Sequence, residues 1–135
     1  MRIVLPIRTR SEANRREHWA AKAKRAKEQR GVAAMLVRRA YNASGARKPD
    51  ASGALTLRGK AVLSEPVTIT LTRIAPRKLD SGNLEASFKA VQDGVADALG
   101  IDDGDERLTW VYGQLKGDPK EYEVWVDVEI REEGM

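Results

Sequence analysis

The chain has 135 residues, with 24 Lys and Arg against 20 Asp and Glu, a formal net charge of +4 and no cysteine. That length suits one domain with a real core, and the missing cysteine excludes disulfides, thiolate metal sites and cysteine-based catalysis. No apolar run approaches the roughly 20 residues that span a bilayer, and the opening MRIVLPIRTR is too short and too charged for a secretory signal, so the expectation is a cytoplasmic protein with no membrane partner.

The net charge hides an asymmetry. Residues 1–48 hold 14 Lys and Arg against 3 acids, and residues 49–135 hold 10 against 17. A half that binds a polyanion beside a half that holds a cation is one reading of this split, and a solvated basic helix face is the other.

In chain order, Arg2–Arg8 reads as a short strand, with Pro6 at an edge or end. Ser11 is a plausible N-cap for a helical stretch reaching about Tyr41. Trp19, Ala23 and Ala26 share one face, as do Ala33, Leu36, Val37 and Ala40. Gly31 stands between these runs as a bend or break. The opposite face carries Arg15, Arg16, Lys22, Lys24, Arg25 and Lys27. Its mostly Ala apolar side suits packing on a sheet better than insertion into lipid.

Residues 42–54 (NASGARKPDASGA) read as a mobile loop inside a single domain spanning 1–135. Residues 55–63 suit a strand or part of a hairpin. Residues 66–74 (PVTITLTRI) alternate β-branched side chains and form the clearest strand, ended by Pro76. Asn83 is placed to cap one helix over Leu84–Leu99. Leu84, Phe88, Val91, Val95 and Leu99 recur at helical spacing, and Gly100 ends the helix. Arg107–Leu115 and Tyr122–Ile130 read as two antiparallel strands about a Gly117-Asp118-Pro119 turn. The expected fold is α+β, a small mixed or antiparallel sheet packed with two main helices.

The 28 residues from Leu79 to Glu106 contain eight acids and one lysine. Lys89, Asp93 and Asp97 follow at i, i+4 and i+8 on the polar helix face, and ordinary surface ion pairs account for that spacing. Asp102, Asp103 and Asp105 follow the helix end, where acids oppose the macrodipole. Asp80 sits between strand and helix. Carboxylates in a basic protein suit Mg²⁺ or Mn²⁺ held against a polyanion. An EF-hand does not fit the spacing of IDDGDERL, although Asp-Gly also makes a plain turn. No Gly-rich phosphate loop appears, and the one histidine, His18, reads as a surface or capping group. Trp110, Tyr112, Tyr122 and Trp125 read as packing residues before base-stacking ones.

The segment Asp80-Ser81-Gly82-Asn83, then Lys89, Asp97-Ala98-Leu99 and Asp102-Asp103, resembles the signature region of RusA-type Holliday junction resolvases. The start is also similar to that family: a strand ending in Leu5-Pro6, then Ser11 and Asn14 before a basic helix. The resemblance implies a homodimeric, Mg²⁺-dependent endonuclease that nicks opposed strands of branched double-stranded DNA, of a kind often found in phages and prophages. It implies Asp80 and Asp103 as metal ligands, with Asp102 beside them and Asp93 or Asp97 behind. Lys89 would be catalytic, while Asn83 and Asn14 would be structural. DNA would lie on Arg15, Arg16, Lys22, Lys24, Arg25 and Lys27, and on Arg73, Arg77 and Lys78. The chain departs from the pattern twice. Gly82 stands where the family has a second Asp, and Lys89 lies about one helical turn further from Asn83. A catalytically weakened DNA-binding relative and a non-enzymatic assembly protein pairing acidic and basic faces are the alternatives.

Overall fold

The structure, a computed structural model, describes residues 2–9, 19–43, 56–57, 60–61, 66–102 and 104–130. Ser11, Asn14, Arg15, Arg16, His18, Asp103 and most of the expected 42–54 loop lie outside the described residues.

The elements run β1 (Arg2–Leu5), α1 (Trp19–Ala43), β2 (Thr56–Leu57), β3 (Lys60–Ala61), β4 (Val67–Ala75), α2 (Ser81–Ser87), α3 (Lys89–Leu99), β5 (Leu108–Lys116) and β6 (Glu123–Ile130). The fold is α+β. Four strands form a mixed sheet in the order β1-β6-β4-β5, and β2 and β3 pair separately as a short antiparallel hairpin. β4 takes β5 in parallel on one side and β6 antiparallel on the other, and β6 takes β1 antiparallel.

Alternation makes β4 the centre of the sheet. Val67, Ile69 and Leu71 are buried on one face, while Thr68, Thr70 and Thr72 line the other at intermediate exposure. The buried rows meet Val124, Val126 and Val128 of β6 and Ile3 and Leu5 of β1. Val37 of α1 and Phe88, Val91, Val95 and Leu99 close this core. Two layers result, with helices over one sheet face. The helix-facing apolar side chains are the main source of stability, at about 25 cal/mol per Å² removed from water.

The helices differ from the expectation at three points. Asp80, not Asn83, is the N-cap of α2: its side chain accepts from Asn83 N at 2.9 Å. The single expected helix is two. Ser87 Oγ donates to Leu84 O at 2.7 Å, and Phe88 N–H bonds Glu85 O at 3.1 Å. The side-chain bond competes with the helical ladder and the tightened turn brings Phe88, fully buried, into the core. Gly31 does not break α1, which runs through it. Helix-forming neighbours on both sides outweigh one glycine. Gly100 does end α3, with φ 72° and Ile101 N–H reaching back to Ala96 O at 3.1 Å.

The strands differ too. β5 and β6 form no hairpin, because β4 lies between them. Six residues connect them, enough to step across one strand, and Gly117 N–H donates to Ala75 O at 2.8 Å as the chain passes the end of β4. A turn-rich connection between two strand patterns looks the same in sequence whether or not another strand is inserted. β1 stops at Leu5, where Ile7 N–H turns back to Leu5 O at 2.8 Å. Among the described residues no helix is long and apolar enough to cross a membrane.

Candidate functional site

β1, β4 and β5 point the same way, so one end of the sheet collects the chain segments that leave β1 and β4. Asp80 lies at that end. Its carboxylate is tied at both oxygens: Oδ1 accepts from Asn83 N and Oδ2 from Asn83 Nδ2, each at 2.9 Å. Each oxygen retains a lone pair. The loop that carries Asp80 is pinned from the sheet. Gln114 of β5 accepts from Leu79 N at 2.9 Å and donates to Leu79 O at 2.7 Å. Arg73, its register partner on β4, donates through Nη1 to Arg77 O at 2.6 Å. Sequence reasoning missed Gln114, since only the parallel β4–β5 register makes it Arg73's neighbour.

Beside Asp80 opens a groove of about 920 Å³ between α1 and α2–α3. Lys22, Lys27 and Arg30 line one wall, and Gly82, Glu85, Lys89 and Asp93 the other. Lys24 is exposed on the same half of α1, and Arg25 is half-exposed. A Cβ built on Gly82 would meet only Asp80 Oδ1, at 3.8 Å. The place of the missing carboxylate is therefore open. The groove exists because this half of α1 is barely packed: Trp19 is 75% exposed, and Ala23 and Ala26 are exposed. The apolar face read there in the sequence is not core.

The helix acids separate by role. Lys89 Nζ bonds Asp93 Oδ1 at 3.0 Å on the groove wall. Asp97 instead takes a two-point bond from Arg30, at 2.6 and 2.9 Å, and its main-chain oxygen takes one from Arg38 at 3.1 Å. The Arg30 hydrogen bond holds the Asp97 carboxyl below its ordinary pKa, outweighing partial desolvation. This pair joins α1 to α3 where they approach most closely. A Cβ on Gly94 would fall 2.4 Å from Arg30 O.

The acids after α3 lie elsewhere. Asp102 Oδ1 accepts from Gly104 N at 3.0 Å in a tight turn. Asp105 binds Arg107 side chain and backbone, at 2.6 to 2.9 Å, which lowers its pKa to about 2. These residues precede β5, whose first residue pairs with Val67 at the start of β4, whereas Asp80 follows the end of β4. Eight residue steps separate those ends, about 26 Å of strand. One chain therefore does not bring Asp80 and Asp102 together. Among the described residues no three acids or histidines group as metal ligands.

Of the expected DNA-contacting residues in and just after β4, Arg77 and Lys78 are exposed, and Arg73 is 7% exposed. Burial pushes the Arg73 pKa down; Tyr122 opposes the shift and Arg8 adds to it. Arg8 lies over the Tyr122 ring at 4.2 Å. The other late aromatics pack: Tyr112 stacks with Phe88 and bonds Gln92 at 2.7 Å, Trp110 lies against the core, and Trp125 sits under Arg2.

No family model matches the chain, and no solved structure matches it. A protein of Xylella fastidiosa (strain Temecula1) described as uncharacterized is 41% identical over 99 residues, which cover 67% of this chain and 51% of the relative. The chain thus spans about half the length of that relative.

Proposed function

We propose that the chain is a RusA-like, Mg²⁺-dependent endonuclease that nicks branched double-stranded DNA as a homodimer. The observation that carries the reading is one juxtaposition. Asp80, which caps α2 from a pinned loop, is two residues from Gly82, which lines a groove with Lys22, Lys27, Arg30 and Lys89 on its walls. Cations there would neutralise backbone phosphates, with affinity that falls steeply with salt and carries little sequence choice.

The metal fits with a condition. Mg²⁺ is commonly held by one or two carboxylates together with substrate phosphates, and Asp80 is one such carboxylate. Asp102 of the same chain lies at the other end of β4 and does not supply the second. A second copy removes the obstacle. β5 is an edge strand and carries no charged residue from Leu108 to Leu115. Antiparallel pairing of two β5 edges about a two-fold axis would lay the partner's acidic turn beside the Asp80 end of this chain. A bound metal would supply an activated water and charge neutralisation at phosphorus. The chain's own residues then have these tasks. Asn83 fixes the Asp80 carboxylate, Gln114 and Arg73 hold its loop, and Lys89 offsets negative charge on the phosphate. Asp93 directs Lys89 along the groove wall.

The test is cleavage of a synthetic four-way junction with Mg²⁺ or Mn²⁺. Asp80→Asn keeps an N-cap acceptor and should leave stability nearly unchanged while abolishing nicking. Lys89→Ala should slow nicking about 10²-fold or more. A wild type that binds the junction without nicking it sinks the enzyme reading. The open space at Gly82 favours that second reading, a DNA-binding relative with weakened chemistry. Failure to bind even at low salt sinks both and leaves the assembly-protein alternative.

A further inference from the structure

A second feature lies at the same end of the sheet, where β1 and β4 end. Arg73 is 93% buried by its 7% exposure, and among the described residues its Nε has no hydrogen-bond partner. Nη1 is occupied by a main-chain oxygen, not by a carboxylate. Thr9, 3% exposed, has an Oγ1 without a partner among the described residues.

The strand register brings these groups to one corner. Arg73 pairs with Val124 of β6, and Val124 with Leu5 of β1. Tyr122 precedes Val124 by two residues, and Arg8 and Thr9 follow just past the end of β1. Arg8 lies on the Tyr122 ring at 4.2 Å and has no ion pair among the described residues. The corner thus gathers two guanidiniums and the Tyr122 ring, with Thr9 next in the chain after Arg8, and among the described residues no carboxylate bonds either guanidinium.

Physical chemistry makes this arrangement costly as it stands. A buried guanidinium without a counter-charge forfeits hydration, and a second one nearby repels it. Guanidiniums with no carboxylate, beside hydroxyls that can turn to donate, suit an oxyanion that accepts several N–H and O–H bonds at once. The tie from Arg73 to Arg77 O joins the corner to the Asp80 loop, so a guest held there would sit along the chain from the Asp80 site.

We infer that Arg73, Arg8, Thr9 and Tyr122 form an oxyanion subsite that takes a backbone phosphate of the DNA strand flanking the one presented to Asp80. The identity of the guest rests on the proposed function; the affinity for an oxyanion does not. Occupation anchors the strand at a second point and sets its register over the groove.

The test has two arms and uses the full chain. In the first, thermal stability is followed with inorganic phosphate and with chloride at matched ionic strength. Phosphate should raise the wild-type Tm by several degrees beyond chloride. Arg8→Gln and Thr9→Val should lose that increment, and Arg39→Gln, elsewhere on α1, should keep it. Arg8 is exposed, so its variant remains testable even if Arg73→Met fails to fold. In the second arm, Arg8→Gln should bind a four-way junction about tenfold more weakly, with the slope of log affinity against log salt reduced by about one. Equal stabilisation of the wild type by phosphate and chloride overturns the subsite. Wild-type junction binding by Arg8→Gln overturns it also, while leaving the DNA reading intact. Phosphate stabilisation that depends on Arg8, without junction binding at low salt, establishes the oxyanion site but overturns its DNA guest and with it the proposed function.

Discussion

Two residues at the start of α2 carry the proposed metal site. Asp80 caps the helix, and Gly82, two residues on and lining the groove, offers no side chain where a Cβ would meet nothing closer than 3.8 Å. Gly82→Asp places a second carboxylate beside the first without a steric clash. It should tighten Mg²⁺ binding about tenfold, or about 1.4 kcal/mol, read by calorimetric titration. Without metal, the two carboxylates repel, so the Mg²⁺-dependent rise in Tm should also exceed that of the wild type. An unchanged Mg²⁺ affinity would mean that Asp80 is a helix cap and nothing more. Asp105 allows a separate check on its turn. Its folded pKa is about 2 against an ordinary 3.8, so Arg107 favours its charged form. That contribution is present above pH about 4 and is lost as pH falls towards 2. An NMR titration of the Asp105 carboxyl should give a midpoint near 2, and a midpoint near 4 would mean that the Arg107 bonds do not persist in solution.

At the scale of elements, two glycines that read alike in sequence do opposite work. Gly31 is exposed in the middle of α1 with nothing within 4 Å of a built Cβ, whereas Gly94 lets α3 approach Arg30 O and Ala33. Gly31→Ala should stabilise by roughly 0.5–1 kcal/mol. Gly94→Ala should destabilise by about 1–3 kcal/mol through overpacking. Urea denaturation of both variants checks the pair, and equal effects would contradict the α1–α3 crossing. The same contrast explains what sequence could and could not reveal. Period-two alternation in β4, the helical spacing from Leu84 to Leu99 and the stop at Gly100 are local signals, and the structure agrees with them. The inserted strand between β5 and β6 is a non-local fact, invisible to a reading of turns. The break at Phe88 required knowing that Ser87 bonds Leu84 and that Phe88 belongs to the core. The apolar face at Trp19, Ala23 and Ala26 had the right spacing, but nothing in spacing says whether a partner layer extends that far.

At the scale of the whole molecule, the acidic segment is not one site. Asp80 lies with Arg8, Arg73, Arg77, Lys22 and Lys27 at one end of the sheet, and Asp102 and Asp105 lie at the other. Sequence placed all eight acids within 28 residues, and the crossover through α2 and α3 carries them apart again. The residue types of the candidate site were therefore legible, and their grouping was not. If the acids serve one metal, two chains must share it. Mixing Asp80→Asn chains with Asp103→Asn chains tests this directly, with nicking of a four-way junction in Mg²⁺ as the readout. Neither variant alone should nick. Random pairing makes half of the dimers mixed, each with one intact composite site, so the mixture should recover about a quarter of wild-type nicking. Two inactive variants that stay inactive when mixed, beside a wild type that nicks, would contradict the shared site.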